Sequence, residues 1–251
     1  MATKLSFHSI FLVLFISLLM QANIAQSKAL TMGVESIEYY PIYAQREGKY
    51  SGYARDLFDA FAKKYGHTIS YKALPIKRLF GEFLNGRLDL KFPDNVNWAS
   101  DLKASKNVIY SGNILKYIDG VLVLPQNLKI GKSHLKALGI VRGFTPWDYL
   151  GDIEAKTVKV IENNSLNGLV KMMQSKRING VYFNISVARY FLKHTLFQEN
   201  VIVFDDTLPH SRDAYQLSTL KHPDIINQLN LFLKEEAIFI SDLKNKYEVN
   251  L

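Results

Sequence analysis

The sequence predicts an α/β protein with two similar lobes, each a mainly parallel sheet flanked by helices. Strand-like and helix-like segments take turns along the chain, which is typical of βαβ units. The order of residue types and predicted elements around residues 87–94 in the first half recurs around residues 177–184 in the second half. The chain has 251 residues, of which 48% are hydrophobic, so it can bury an ordinary core.

The first half is predicted to fold as strand, helix, strand, helix, strand. Residues 30–34 have the pattern of a strand. Residues 56–65 have the pattern of a helix that Gly66 ends, because apolar residues recur there at helical spacing. The other elements are a strand at 68–71, a helix from Pro75 to Asn85-Gly86 and a strand at 87–92.

Residues 177–184 repeat the plan of residues 87–94. Each has a basic residue, an aliphatic residue, Asp or Asn, then a strand with a polar residue at its end. Ligands bind beyond the carboxyl ends of strands in such sheets, so Asp94 and Asn184 are predicted on facing rims of one cleft. The elements predicted around the second copy are a strand at 138–141, a helix with Thr145 as N-cap and Pro146 as its first residue, and a helix at 166–173.

The amino-terminal segment predicts export. An apolar run at residues 10–20 follows a basic residue, and no acidic residue occurs before Glu35. This pattern is typical of a cleaved secretory signal peptide, placed here at residues 1–25 with the cleavage site open between Ala22 and Ala29. The sequence contains no cysteine, so it has neither disulfides nor a lipid-modified cysteine. These features predict a soluble periplasmic protein that is not a lipoprotein.

Composition and motifs argue against several other classes. The formal net charge is +8, but the basic residues are scattered, so a nucleic-acid partner is not expected. The histidines are not spaced as a metal site, and the sequence contains no Gly-x-Ser-x-Gly, His-Glu-x-x-His or phosphate-loop motif. We therefore predict no catalytic residues, no metal and no cofactor.

Seven segments carry a family resemblance through their order and spacing. They are Tyr40-Pro41-Ile42-Tyr43 and residues 50–57, 74–78, 85–89, 108–111, 118–123 and 135–145. Together they resemble family 3 of the bacterial extracellular solute-binding proteins over nearly the whole mature chain. The resemblance implies a two-lobe, type II periplasmic binding fold, whose lobes close over a small molecule and deliver it to a membrane transporter or sensor.

The hinge implied by this fold sets the expected lobe boundaries. Lobe one is predicted to comprise residues 26–116 and 205–251, and lobe two residues 117–204. The chain would cross between the lobes near residues 112–118 and 204–208, and ligand binding would close the lobes. We expect a monomer whose partners are a small-molecule ligand and a membrane permease or sensor protein.

Two features of amino-acid binders in this family are missing from the matching positions. Such binders usually have a Thr-x-x-Arg before the segment matched by residues 108–111, and its arginine holds the ligand carboxylate. Residues 99–106 contain no arginine, and Lys103 lacks the planar fork of a guanidinium group. The second-lobe aspartate for the ligand ammonium group is matched by Asn184. A standard free amino acid is therefore not favoured as the ligand.

The predicted cleft is rich in aromatic and amide side chains, as ligand pockets with a few placed polar groups often are. The ligand could be ring-bearing, a sugar, a modified amino acid or a peptide fragment. The predicted ligand-binding residues are Tyr40, Arg78, Asp94, Asn95, Asn97, Trp98, Tyr110, Ser111, Arg142, Phe144, Thr145, Trp147 and Asn184.

Structural roles stay open for several of these side chains. Trp98 and Trp147 could fill the lobe edges, and Asp94 could cap the following turn through its carboxylate. Arg142 could meet an anion beside a helix amino terminus, or could be a surface arginine. Asp119 is expected to have a structural role at a strand start or crossover.

The predicted function is that of a periplasmic protein that captures a small polar or ring-bearing solute for an ABC-type importer. A sensor kinase or chemoreceptor could receive the ligand instead; adjacent permease and ATPase genes would favour import. A less favoured alternative is a periplasmic dehydratase on the same fold, which needs an acid to protonate a leaving hydroxyl group. The candidates for that acid are Asp94, Asp148 and Glu162.

Overall fold

The computed structural model describes residues 27–250, and the predicted signal peptide lies outside the described residues. The strands are β1 (Ala29–Glu35), β2 (Glu38–Tyr39), β3 (Tyr43–Arg46), β4 (Lys49–Ser51), β5 (Thr68–Leu74), β6 (Leu90–Asp94), β7 (Ile109–Tyr110), β8 (Leu115–Val123), β9 (Ala137–Val141), β10 (Lys159–Asn163), β11 (Gly180–Asn184), β12 (Val203–Phe204) and β13 (Ser211–Thr219). The α-helices are α1 (Tyr53–Tyr65), α2 (Ile76–Leu84), α3 (Ser100–Lys103), α4 (Leu150–Glu154), α5 (Leu166–Gln174), α6 (Ile185–His194), α7 (Pro223–Glu235) and α8 (Ala237–Lys246). None of these helices is long and apolar enough to cross a membrane.

The sheet of the amino-terminal lobe is arranged around β1. This strand pairs in parallel with β5 on one side and with β6 on the other. Met32 and Val34 of β1 are fully buried in the same apolar core as Leu57, Phe58 and Phe61 of helix α1, which also have no exposed surface. Helix α1 ends at Gly66 in the left-handed conformation, as the sequence predicted.

The second lobe repeats this arrangement around β9. Strands β10 and β11 pair with β9 in parallel, and β8 pairs with β11 in the antiparallel direction. Its separate apolar core includes Leu138, Ile140 and Tyr149. The repeated segments fold as predicted, because β6 and β11 are five-residue strands that end at Asp94 and Asn184.

Two long antiparallel strands, β8 and β13, join the lobes. They pair from Leu115 with Tyr215 to Asp119 with Ser211. Beyond this stretch β13 pairs with β6 and β7, while β8 pairs with β11 and β12. The predicted mixed α/β class is therefore confirmed, with the two parallel groups connected into one curled mixed sheet. The lobe boundaries proposed from the sequence stay a prediction.

The predicted helix start at Thr145 is wrong. A short 3₁₀ helix covers Trp147–Tyr149 and continues directly into α4. Pro146 occupies its N-cap position with a ψ of 78°, outside the helical region. The Thr145 carbonyl accepts a hydrogen bond from the Trp147 N–H at 3.0 Å, so the backbone of Thr145 makes a turn instead of capping a helix.

Gly52 fixes the turn that leads into α1. Its φ is +105°, and a Cβ there would lie 2.9 Å from the carbonyl oxygens of Pro41 and Ile42. We expect Gly52→Ala to destabilise the protein by about 1–3 kcal/mol, because it adds a backbone clash to a conformation that alanine avoids. Urea unfolding measures the effect. Gly151→Ala is the control, since nothing lies within 4 Å of its Cβ position, and an equal change in both variants would contradict this account.

Candidate ligand cavity

A cavity of about 200 Å³, here called the inner cavity, lies between the lobes. It continues into a wider outer cleft of about 940 Å³, with which it shares Tyr39, Ile76, Gly143, Phe144, Thr145 and Phe183. The residues lining the inner cavity are Glu35, Tyr39, Tyr43, Ile76, Phe80, Trp98, Ala99, Asp119, Gly143, Phe144, Thr145, Trp147, Tyr182, Phe183, Asn184 and Tyr215.

Both lobes and the strands that join them supply polar groups to the inner cavity. Glu35 ends β1 and Asn184 ends β11, so both lie at the carboxyl ends of parallel strands, where this class of sheet binds ligands. Asp119 and Tyr215 belong to the joining strands β8 and β13. A molecule in the cavity would therefore contact both lobes and the strands that join them.

Two groups of aromatic rings form the walls. Tyr39, Phe144 and Phe183 pack on one another with ring centroids 5.4–5.5 Å apart. Tyr215 stacks on Tyr117 at 4.5 Å and meets Trp98 edge-on at 5.9 Å. Rings in such offset and edge-on arrangements stabilise one another beyond their burial, so the walls are held in place without a ligand.

Asp119 is the carboxylate on the second-lobe side. Its Oδ1 accepts a hydrogen bond from Asn184 Nδ2 at 3.2 Å, and Asn184 Nδ2 also lies 3.2 Å from the hydroxyl of Tyr215. Burial raises the pKa of Asp119 to about 7, and the charge of Asp148 adds to this, although the Asn184 bond opposes it. Asp119 therefore holds a proton to a higher pH than an ordinary carboxyl group does.

Glu35 is the carboxylate on the first-lobe side and has only 5% of its surface exposed. The hydroxyl of Tyr43 donates to its Oε2 at 2.6 Å. Burial raises the pKa of Glu35, while this hydrogen bond and the positive charge of Lys91 lower it. Glu35 therefore has a nearby cation, whereas the charged neighbour of Asp119 is another acid.

Asp94 is placed differently from the sequence prediction. Instead of lying at a cleft rim, it is fully buried in a group that we call the Asp94 cluster: Asp94, Lys91, Lys103 and Ser218. Its Oδ1 lies 3.3 Å from both lysine nitrogens, and Ser218 donates to Oδ2 at 2.6 Å. These partners compensate the buried carboxylate, since an unpaired charge at that position would greatly destabilise the folded state.

Four of the predicted binding residues line the inner cavity, and a fifth, Phe144, lines it together with the outer cleft. Those four are Trp98, Thr145, Trp147 and Asn184, and Thr145, like Phe144, also lines the outer cleft. Asn184 also caps α6, since its Oδ1 accepts from the N–H of Val187 at 3.0 Å. Its dual role fixes the amide orientation at the cavity wall.

Two further predicted residues, Tyr40 and Arg142, lie in the outer cleft. The Tyr40 ring packs against Tyr190 with a centroid distance of 5.2 Å. Arg142 is exposed and pairs with Glu162 at 3.3 Å, so its guanidinium group is already partly neutralised. An exposed pair of this kind adds little stability.

The remaining predicted residues do not line either space. Asn95 is buried and donates to the Ala214 carbonyl at 2.9 Å, while Asn97 is exposed beside Asp213. Ser111 is buried and accepts from the Leu217 N–H at 2.9 Å. The others outside these spaces are Arg78, which is exposed on α2, and Tyr110, which is half-buried in β7.

Several lining residues were not among the sequence predictions. Glu35 could have been found, because it is the first polar residue after a predicted buried strand, as Asp94 and Asn184 are after theirs. Asp119 and Tyr215 were missed because they reach the cavity from antiparallel strands whose pairing leaves no local pattern. The spacing of apolar residues around them indicates which side chains are buried, but it does not indicate which strand each one pairs with.

A two-lobe α/β structure with a cavity between its lobes defines the class, which is the type II periplasmic binding fold. No protein-family model and no curated protein matches the sequence. Solved structures do match the fold over most of the chain.

The GluR0 ligand-binding core in complex with L-glutamate has a TM-score of 0.70 at 15% sequence identity, covering 88% of this chain and 98% of that chain. A substrate-binding protein of an ABC uptake transporter from Streptococcus pneumoniae, with bound histidine, has a TM-score of 0.68 at 20% identity, covering 87% and 92%. An ancestral amino-acid-binding protein, a precursor of cyclohexadienyl dehydratase, has a TM-score of 0.67 at 18% identity, covering 87% and 94%. These similarities establish the fold.

Proposed function

We propose that this protein is an exported, family 3 type solute-binding protein that captures a small molecule between its lobes and delivers it to an ABC-type importer. The observation that carries the proposal is the inner cavity, whose walls come from both lobes and from the two strands that join them. A ligand there stabilises a closed arrangement because it gains contacts with both lobes only when they approach.

The similar structures support transport of a solute over other uses of the fold. The Streptococcus pneumoniae protein named above belongs to an ABC uptake transporter. Export through the predicted signal peptide and delivery to a permease belong to the same proposal. A sensor protein as the receiver is the alternative, and it leaves the binding step unchanged.

Binding without chemistry is the form of this proposal that the cavity supports best. A dehydratase acting on a carboxylated ring would need an acid and a group that holds the substrate carboxylate. Asp119, with its pKa of about 7, could supply the acid, in place of the sequence candidates Asp94, Asp148 and Glu162. Among the described residues that line the inner cavity, however, none is Lys, Arg or His.

The test combines a thermal-shift screen with small-angle scattering on the purified exported protein. We expect one ligand class to raise the melting temperature, since a ligand at a hundredfold excess over its Kd adds about 2.7 kcal/mol of stability. The same ligand should reduce the radius of gyration as the lobes close. Turnover of a cyclohexadienyl acid would contradict the non-enzymatic form.

Matched variants locate the binding site in this experiment. Trp98→Ala removes a cavity wall and should abolish the thermal shift, whereas Ile238→Ala alters a side chain that is 82% exposed on α8 and should retain it. A bound ligand that leaves the radius of gyration unchanged would argue against closure. A shift that survives in Trp98→Ala would place the ligand elsewhere.

A further inference from the structure

We propose that the ligand of the inner cavity is a small organic ammonium ion that carries no carboxylate group. This inference rests on the proposed solute-binding function and adds the chemical class of the solute. Three independent features of the cavity support it: the sign of its side-chain charges, the surroundings of Asp119 and the aromatic walls.

The first feature is the charge of the lining. Two carboxyl side chains, Glu35 and Asp119, reach the inner cavity, and no basic side chain of the described residues lines it. The buried Lys91 is not among the lining residues: its nitrogen lies 4.0 Å from the centre of the Phe80 ring and donates to the Pro93 carbonyl at 2.7 Å. A ligand carboxylate would therefore be buried beside two acids without a cation to pair with.

The second feature is that no cation among the described residues 27–250 forms an ion pair with Asp119. Lys91 lowers the pKa of Glu35 and Asp94 raises it, whereas in the described part of the chain the charged group that acts on the pKa of Asp119 is the acid Asp148. The oxygen of Asp148 accepts from Tyr182 and Ser211, each at 2.8 Å, so Asp148 is already provided with donors. Within residues 27–250 no hydrogen bond reaches Oδ2 of Asp119, which leaves an acceptor for a ligand ammonium group.

The third feature is the number of aromatic faces around this carboxylate. Tyr39, Tyr182, Tyr215 and Trp98 line the same cavity as Asp119. The negative faces of such rings attract cations, most strongly when the cation is desolvated. Aromatic walls beside the Asp119 carboxylate thus favour a cation with an apolar body over a sugar, whose hydroxyl groups need more hydrogen-bonding partners.

Tryptophan fluorescence offers a direct binding assay, because the sequence contains two tryptophans and both Trp98 and Trp147 line the inner cavity. The probes are tetramethylammonium, choline and 2-phenylethylamine, compared with phenylalanine, 3-phenylpropionate and 2-phenylethanol. The last four share one ring and chain but differ in charge. We expect at least one ammonium probe to bind at least about tenfold more tightly than every carboxylate-bearing or neutral probe.

Asp119→Asn tests the proposed contact, and Asp206→Asn is its control. Both variants remove one negative charge, but Asp206 is exposed and does not line the cavity. Affinity for the ammonium probe should fall by about tenfold or more in Asp119→Asn and stay unchanged in Asp206→Asn. Equal effects in both variants would mean that only the overall charge attracts the probe, and would overturn the inference.

The pH dependence of binding gives a second readout. The groups facing Asp119 are Tyr117 on its own strand β8, Asn184 and Tyr182 on β11, Asp148 from the 3₁₀ helix, Tyr39 on β2, and Tyr215 on β13. A cation requires ionised Asp119, so affinity should fall by about tenfold per pH unit below about pH 7 and should level off above it. Asp119→Asn should show no such slope.

The outcomes separate this inference from the proposed function. Closure around phenylalanine, 3-phenylpropionate or 2-phenylethanol in preference to the ammonium probes would leave the solute-binding function standing and overturn the cation inference. Failure of all probes, together with a negative thermal-shift screen, would overturn both.

Discussion

Asp94→Ala is expected to destabilise the protein by about 3–5 kcal/mol, the usual cost of removing one partner from a buried ion pair. The variant would leave two lysine side chains, Lys91 and Lys103, without their shared carboxylate in a part of the lobe where Lys91 has no exposed surface. It would also remove the acceptor of the Ser218 hydroxyl. Urea unfolding followed by circular dichroism measures the change.

Lys193→Ala is the control for this experiment. Its partner Glu248 lies 2.9 Å away, but both side chains are more than 40% exposed, so the loss should stay below about 1 kcal/mol. If Asp94→Ala cost no more than Lys193→Ala, the Asp94 cluster would have to be solvated or rearranged in the folded protein. That result would also reopen Asp94 as a residue of the cleft rim.

Asp119→Asn is expected to make the ligand-free protein more stable above neutral pH, by up to about 4 kcal/mol. The pKa of Asp119 rises from 3.8 in the unfolded chain to about 7 in the folded protein, so between these values the folded state binds the extra proton. The stability from this proton is fully present below about pH 4 and is lost as the pH rises through about 7. The asparagine variant has no proton to lose.

The measurement is the difference in unfolding free energy between Asp119→Asn and the unchanged protein, taken at several pH values from 4 to 9. Asp89 and Asp205 have lowered pKa values in the folded state, so they make the unfolding free energy rise with pH, opposite to the effect of Asp119. Both proteins contain these two groups, so their contributions cancel in the difference. Asp206→Asn should give a flat difference. A flat difference for Asp119→Asn as well would show that its carboxylate is freely solvated.

Much of the fold could be predicted from the sequence because its signals are local. Strand β1, helix α1 and strand β9 follow from the spacing of apolar residues and from a glycine stop. The repeated plan at residues 87–94 and 177–184 predicted two equivalent strands, which the structure contains. The pairing of β8 with β13 joins segments about a hundred residues apart, and no local pattern specifies it.

The site was less predictable, as the two equivalent strand ends illustrate. Asn184 lines the inner cavity, but Asp94 is taken up by Lys103, nine residues away, and by Ser218, 124 residues away. Sequence places both side chains at strand ends, yet the choice between cavity and core depends on these distant partners. For the same reason Asp119, expected to be structural, instead lines the cavity.

The open side of β6 has a consequence for how the chain acquires its fold. Strand β6 is paired with β1 on one edge, but its other edge is completed by Gln216 and Ser218 of β13, after the whole second lobe has been made. A growing chain therefore carries an unpaired strand edge on β6. The pairing of β6 with β13 joins residues far apart in the sequence, so it forms late and slowly. The proposed export requires the chain to cross a membrane unfolded. This topology is compatible with that requirement, since the sheet of the first lobe is completed only after β13, the last strand, has been made.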